Sequence, residues 1–168
     1  MFKKLLVIPI ISVFMLAFYY SGKVFAANEG TVTATVTIQN ISLTVGDGTI
    51  TYGILALSST NTTVALTDTQ TITNNGNVPI NVNIKGQNTT SWTLAATIGS
   101  NQYIHQYCLA TCGTYPTNYT PMTTTYSLAK SNLAASGTQS IDLGISTPSS
   151  STDYTEQSVN VMVQAVAV

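Results

Sequence analysis

The stretch TQTITNNGNVPINVNIK, residues 69–85, decides the fold class. From Val78 the residues alternate, with Val78, Ile80, Val82 and Ile84 on one side and Pro79, Asn81, Asn83 and Lys85 on the other. A period of two places the four aliphatics on one face of a strand, and that face must be buried. A two-residue Asn75-Gly76 turn would set Thr71 and Thr73 opposite the aliphatics. A three-residue loop, Asn74-Asn75-Gly76, instead pairs Ile72 with Val78 and gives Gly76 the left-handed position, although it also points Gln70 at Ile80. The second choice predicts a hairpin over 69–85. Its oily face requires a second layer, which the rest of the chain must supply.

Working outward, residues 30–38 alternate most cleanly, with Val32, Ala34, Val36 and Ile38 on one face and Thr31, Thr33, Thr35 and Thr37 on the other. Ile41, Leu43 and Val45 continue one residue out of phase, as a bulge near Gln39 and Asn40 would allow. Gly46-Asp47-Gly48 predicts a turn, and residues 49–57 a strand with Ile50, Tyr52 and Ile54 in phase. Residues 91–98 place Trp92, Leu94, Ala96 and Ile98 inward, and 102–108 put Tyr103, His105 and Tyr107 on one face. Residues 109–121 are irregular, 122–128 recover a strand-like pattern, 139–146 carry Ile141, Leu143 and Ile145 in phase, and 158–168 close the chain. Short strands bounded by turns at this spacing predict an all-β, immunoglobulin-like antiparallel β-sandwich, with an up-and-down barrel as the runner-up.

Residues 1–26 have the form of a cleaved signal peptide: Lys3 and Lys4, an apolar run over 5–20, and the small-residue site Val24-Phe25-Ala26. The apolar run is shorter than a membrane span requires, so the membrane enters only before cleavage. The expected mature domain is 27–168, secreted or at the cell surface. In it Lys85 and Lys130 face six acids, leaving four net negative charges, and the chain has no arginine. Nucleic acid is therefore not expected as a partner, because binding phosphates takes clustered cations.

The segments TYGILAL, TITNNGNVPINVNI and LAASGTQSIDLGISTP with YTEQSVNVMVQA resemble secreted immunoglobulin-like sandwich proteins of bacterial and archaeal cell surfaces. In plan the chain is similar to the TasA and camelysin type of surface-fibre subunit. The resemblance implies a structural or adhesive role without catalysis, and it carries over no functional residue.

Cys108 and Cys112, the only cysteines, are expected to form a local disulfide in an exported chain. Adding His105 gives H-x2-C-x3-C, three donors a metal could take, but a fourth ligand is missing and no metal is expected. No cofactor is expected, and no enzyme: His105 is the sole imidazole, no nucleophile elbow is present, and the acids are scattered except Asp153 and Glu156. Five tyrosines crowd residues 103–126. Tyr103, Tyr107, Tyr115 and Tyr119, with His105, form a candidate interaction surface for surface glycans, because tyrosine rings stack on sugars; the competing reading has them cover one end of the core. Sequons at Asn40, Asn61, Asn88 and Asn118 mark expected surface positions.

The expected function is a non-catalytic structural protein of the cell surface or matrix, whose partner is a second copy of itself. The alternative is a carbohydrate-binding or adhesion module. Thr31, Val32, Ala34, Val36 and Ile38 form a candidate donated strand, since it carries few of the charges that block edge pairing and can be added to a neighbour's sheet. The terminal strand 158–168, equally uncharged, is the edge expected to receive it.

Overall fold

The computed structural model describes residues 29–109 and 111–168, and the export segment 1–26 lies outside them. The chain divides into two compact units, residues 1–37 and 38–168. The second is a β-sandwich of two antiparallel-rich sheets, in agreement with the fold class that the alternation predicts.

The larger sheet runs β1 (Leu43–Val45), β3 (Gln70–Asn74), β9 (Thr138–Ser146), β6 (Gln102–Cys108), β5 (Thr93–Leu94). Off this path β2 (Thr60–Thr62) pairs with β9 and β7 (Thr120–Pro121) with β6; β5 and β6 are the parallel pair. The smaller sheet has β4 (Ile80–Lys85) between β10 (Met162–Ala167) and β8 (Ser127–Leu133). One turn of helix, α1 (Thr63–Leu66), follows β2 and starts on Thr62, whose hydroxyl accepts the Ala65 N–H.

The core lies between the sheets. Ile80, Val82 and Ile84 from β4, Leu133 from β8, and Ile72, Ile141, Leu143 and Ile145 from β3 and β9 are all buried there with Tyr103 and Met122. The period of two therefore identifies the inward face of β4, β3 and β9 correctly. It does not hold along 91–98, where Leu94 is buried but Ile98 is exposed and only two residues join a ladder.

The expected hairpin over 69–85 does not form. β3 and β4 belong to different sheets, so residues 75–79 carry the chain across the sandwich. The cause is Asn74, which is fully buried. Its Nδ2 donates to the carbonyls of Val78 (2.9 Å), Leu133 (3.1 Å) and Ala134 (2.9 Å), and its Oδ1 accepts from the Gly76 N–H (2.9 Å). One side chain thus satisfies backbone groups that a crossover would otherwise leave unpaired, as burial demands. Nor is Gly76 left-handed. A Cβ there would stand 2.4 Å from the Asn40 carbonyl oxygen, so its need for glycine is a close backbone approach. The turn at 46–48 is as expected, with Asp47 and Gly48 both at positive φ.

Candidate functional site

One further expected strand is missing and another is shortened, and the two border the same place. Residues 49–57 form no strand, and the closing strand begins at Met162 rather than at 158. Among the described residues, no backbone–backbone hydrogen bond reaches 49–57 or 151–161. The Tyr52 and Ala56 carbonyls are met only by side chains, Asn61 Nδ2 and Thr147 Oγ1. Both segments still pack half-buried on the core, Ile50, Tyr52 and Leu55 on one side and Val159 and Val161 on the other, but the expected phase of 49–57 breaks after Tyr52, where Gly53 takes a positive φ and Ile54 turns to solvent.

Between them opens an apolar cleft of about 1100 Å3. Its floor is Ile141, Leu143 and Ile145 of β9 with His105 of β6 and Gln70 of β3, and its walls are residues 50–57 and 153–163. At its ends lie Val45 of β1 and Val163 of β10, the edge strands of the two sheets. Ile54 and Tyr154 stand on the walls almost wholly in solvent, 104% and 80% exposed. The cleft therefore has buried core residues for its floor and, over 49–57 and 151–161, walls whose backbone joins no ladder among the described residues.

The far wall is held in place by a polar clasp. Asp153 accepts from Ser91 Oγ, from the Thr155 N–H and hydroxyl, and from Gln157 Nε2. These donors hold its carboxyl down at about 2, with the Ser91 hydroxyl the largest cause. Trp92 Nε1 donates to Ser151 Oγ (3.0 Å), so Trp92 is half-buried at the clasp rather than deep in the core.

His105 sits on the floor, 1% exposed. Its Nε2 is 2.9 Å from the Tyr52 hydroxyl, which reaches in from the near wall, and its Nδ1 has no partner among the described residues. Burial lowers its pKa to about 4, so it is neutral at neutral pH, and burial raises that of Tyr52.

The other residues of the expected tyrosine surface are placed inside. Tyr103, Tyr107 and Tyr119 are buried with His105, and Tyr115 is half-buried, so five side chains expected on an interaction surface offer little ring face to a sugar. The reason is packing at one end of the sandwich. Tyr115 lies on Gly144, where a Cβ would stand 2.3 Å from the ring, donates or accepts at Ser146 Oγ (2.8 Å), and meets Tyr119 edge-on at 5.1 Å. Cys108 and Cys112 are joined in a disulfide, with Cα atoms 5.7 Å apart, at the start of that connection. Both sulfurs are thereby withheld from a metal, and His105 faces Tyr52.

No family model, curated protein or solved structure matches this chain.

The candidate donated strand is described from Glu29 onward. Residues 29–38 are in no ladder among the described residues, and Val32, Val36 and Ile38 are 91%, 92% and 85% exposed. Three β-branched side chains on one face of a neutral segment stand in water, where each forgoes roughly 1.5–3 kcal/mol of burial. Of the sequon asparagines, Asn40, Asn88 and Asn118 are exposed, while Asn61 is half-buried with its amide on the Tyr52 carbonyl. No helix among the described residues is long and apolar enough to cross a membrane.

Proposed function

We propose that the protein is a secreted, non-catalytic structural subunit of the cell surface or extracellular matrix, which polymerises by donating residues 31–38 to the cleft of a second copy. The observation that carries this reading is the cleft itself, with its two strand-patterned walls that join no ladder over 49–57 and 151–161. A strand lying there would find backbone partners on both sides, in residues 49–57 and 158–163, and would cover the half-buried Ile50, Tyr52, Val159 and Val161. The donor has the matching chemistry: an alternating face of Val32, Ala34, Val36 and Ile38, a threonine face, and no charge from Gly30 to Gly46. Donation from head to tail does not close on itself, so the product is a filament. The disulfide, a bond of oxidising compartments, and the resemblance to surface-fibre subunits support the same address.

Electron microscopy of the mature protein, with and without residues 27–38, tests this. Filaments are expected from the full mature chain alone, and the shortened chain should stay monomeric and bind a peptide of residues 27–38 in its cleft. Filaments of the same form from the shortened chain would contradict strand donation.

A further inference from the structure

The body of the sandwich begins at Ile38, and its first residues are gripped by the crossover between β3 and β4. Asn77 holds them at three points. Its N–H donates to the Asn40 carbonyl (3.1 Å), its Oδ1 accepts from the Asn40 N–H (2.8 Å), and its Nδ2 donates to the Ile38 carbonyl (2.8 Å). A single residue thus pairs with 38–40 as a strand partner would. Next to it, the Asn75 N–H donates to the Ser42 carbonyl (2.9 Å), and Asn75 Nδ2 to Thr44 Oγ1 (3.0 Å). Gly76 lets the two backbones meet, because any Cβ there would strike the Asn40 oxygen. Asn74 in turn roots the crossover in the core through its buried amide. The four residues Asn74-Asn75-Gly76-Asn77 are therefore a clamp on the stem from which residues 31–37 depart.

We infer that Asn77 is a positioning residue for assembly: it fixes the direction in which the donated strand leaves its own subunit, and with it the stiffness of the filament. The inference rests on the strand-donation reading. A donor hanging from an unclamped stem joins subunits as beads on a flexible linker, whereas a stem pinned at the donor's last residue, Ile38, couples their orientations. Asn77 itself is exposed and touches none of the core, so its loss leaves the body intact.

The test uses the mature protein with Asn77→Ala and Asn77→Asp, the second keeping the Oδ1 acceptor and losing the donor to Ile38. In the monomer, amide exchange at Asn40 should speed up about tenfold in Asn77→Ala, with the denaturation midpoint as in the parent. In filaments seen by electron microscopy, the Asn77→Ala persistence length should drop at least about twofold at an unchanged subunit repeat, and Asn77→Asp should fall between. Filaments of parental stiffness from Asn77→Ala, or an Asn40 amide indifferent to the change, would overturn the inference. If the parent protein makes no filaments, strand donation fails and the positioning role falls with it, and the Asn40 amide still reports separately whether the clamp exists.

Discussion

β4 and residues 49–57 carry the same kind of sequence and meet opposite fates. Both begin by alternating aliphatic or aromatic with polar residues, and both bring side chains to the core, β4 along one unbroken face and 49–57 through Ile50, Tyr52 and Leu55. β4 has a ladder on each side, with β10 from Met162 to Ala167 and with β8 through a bulged register, and its three inward aliphatics are fully buried. Residues 49–57 have no ladder among the described residues, and Ile54 is wholly in solvent. Side-chain periodicity says which face of a strand wants burial; only the neighbours decide whether the backbone is paired. The difference between the two segments therefore marks where backbone groups are left without a ladder among the described residues.

The contrast breaks most visibly in the paired region. Ile84→Ala removes a fully buried side chain from the middle strand of the smaller sheet and should destabilise the domain by about 2–5 kcal/mol, measured as a fall in the urea midpoint. An effect near zero would mean that the sheets are not packed as described.

The next effect lies where the paired floor meets the unpaired wall. His105 is neutral and buried, with a folded pKa of about 4 against an ordinary value near 6.5. The unfolded chain therefore takes up this proton first as the pH drops. Stability is fully present above about pH 6.5, is lost between there and about pH 4, and the loss is on the order of 3 kcal/mol for this group. Urea titrations at a series of pH values should show that slope, and His105→Gln should flatten it. An unchanged slope in the variant would place the titrating group elsewhere.

How much of this was legible in the sequence depends on the range of the interaction concerned. The inward residues of β3, β4 and β9 follow from alternation, a property of adjacent residues, and the disulfide follows from two cysteines four apart; β6 does not, because His105, Gln106, Tyr107 and Cys108 are buried on both of its faces. The crossover did not, because Asn74 is read locally as a turn residue, while its carbonyl partners at Leu133 and Ala134 lie some 60 positions away. The tyrosines divide on the same ground: their crowding is visible in sequence, but the place that Tyr115 fills is made by Gly144 and Ser146 on β9. The cleft is invisible for a further reason, since 49–57 and 158–161 both have good strand patterns and nothing in them shows that they join no ladder.

Smaller effects sharpen the comparison. The Cys108–Cys112 bond closes only a short loop, so reducing it should cost about 2 kcal/mol or less, seen as a modest drop in melting temperature; a collapse of the fold would show that the tyrosine end depends on it. Smallest of all is Ile54→Ala, which removes a side chain already in water and should shift the monomer's stability by less than about 0.5 kcal/mol. The same change should slow filament growth, because the wall it sits on is the proposed acceptor.

The measurement that bears most directly on the central claim is amide hydrogen exchange, residue by residue, on monomer and assembled protein. In the monomer, residues 49–57 and 158–161 should exchange rapidly while β4 and β9 are protected. In the assembled protein, both wall segments and residues 31–38 should become protected together, as ladders form on the two sides of an incoming strand. Assembly that leaves the walls exchanging as fast as before would contradict the account.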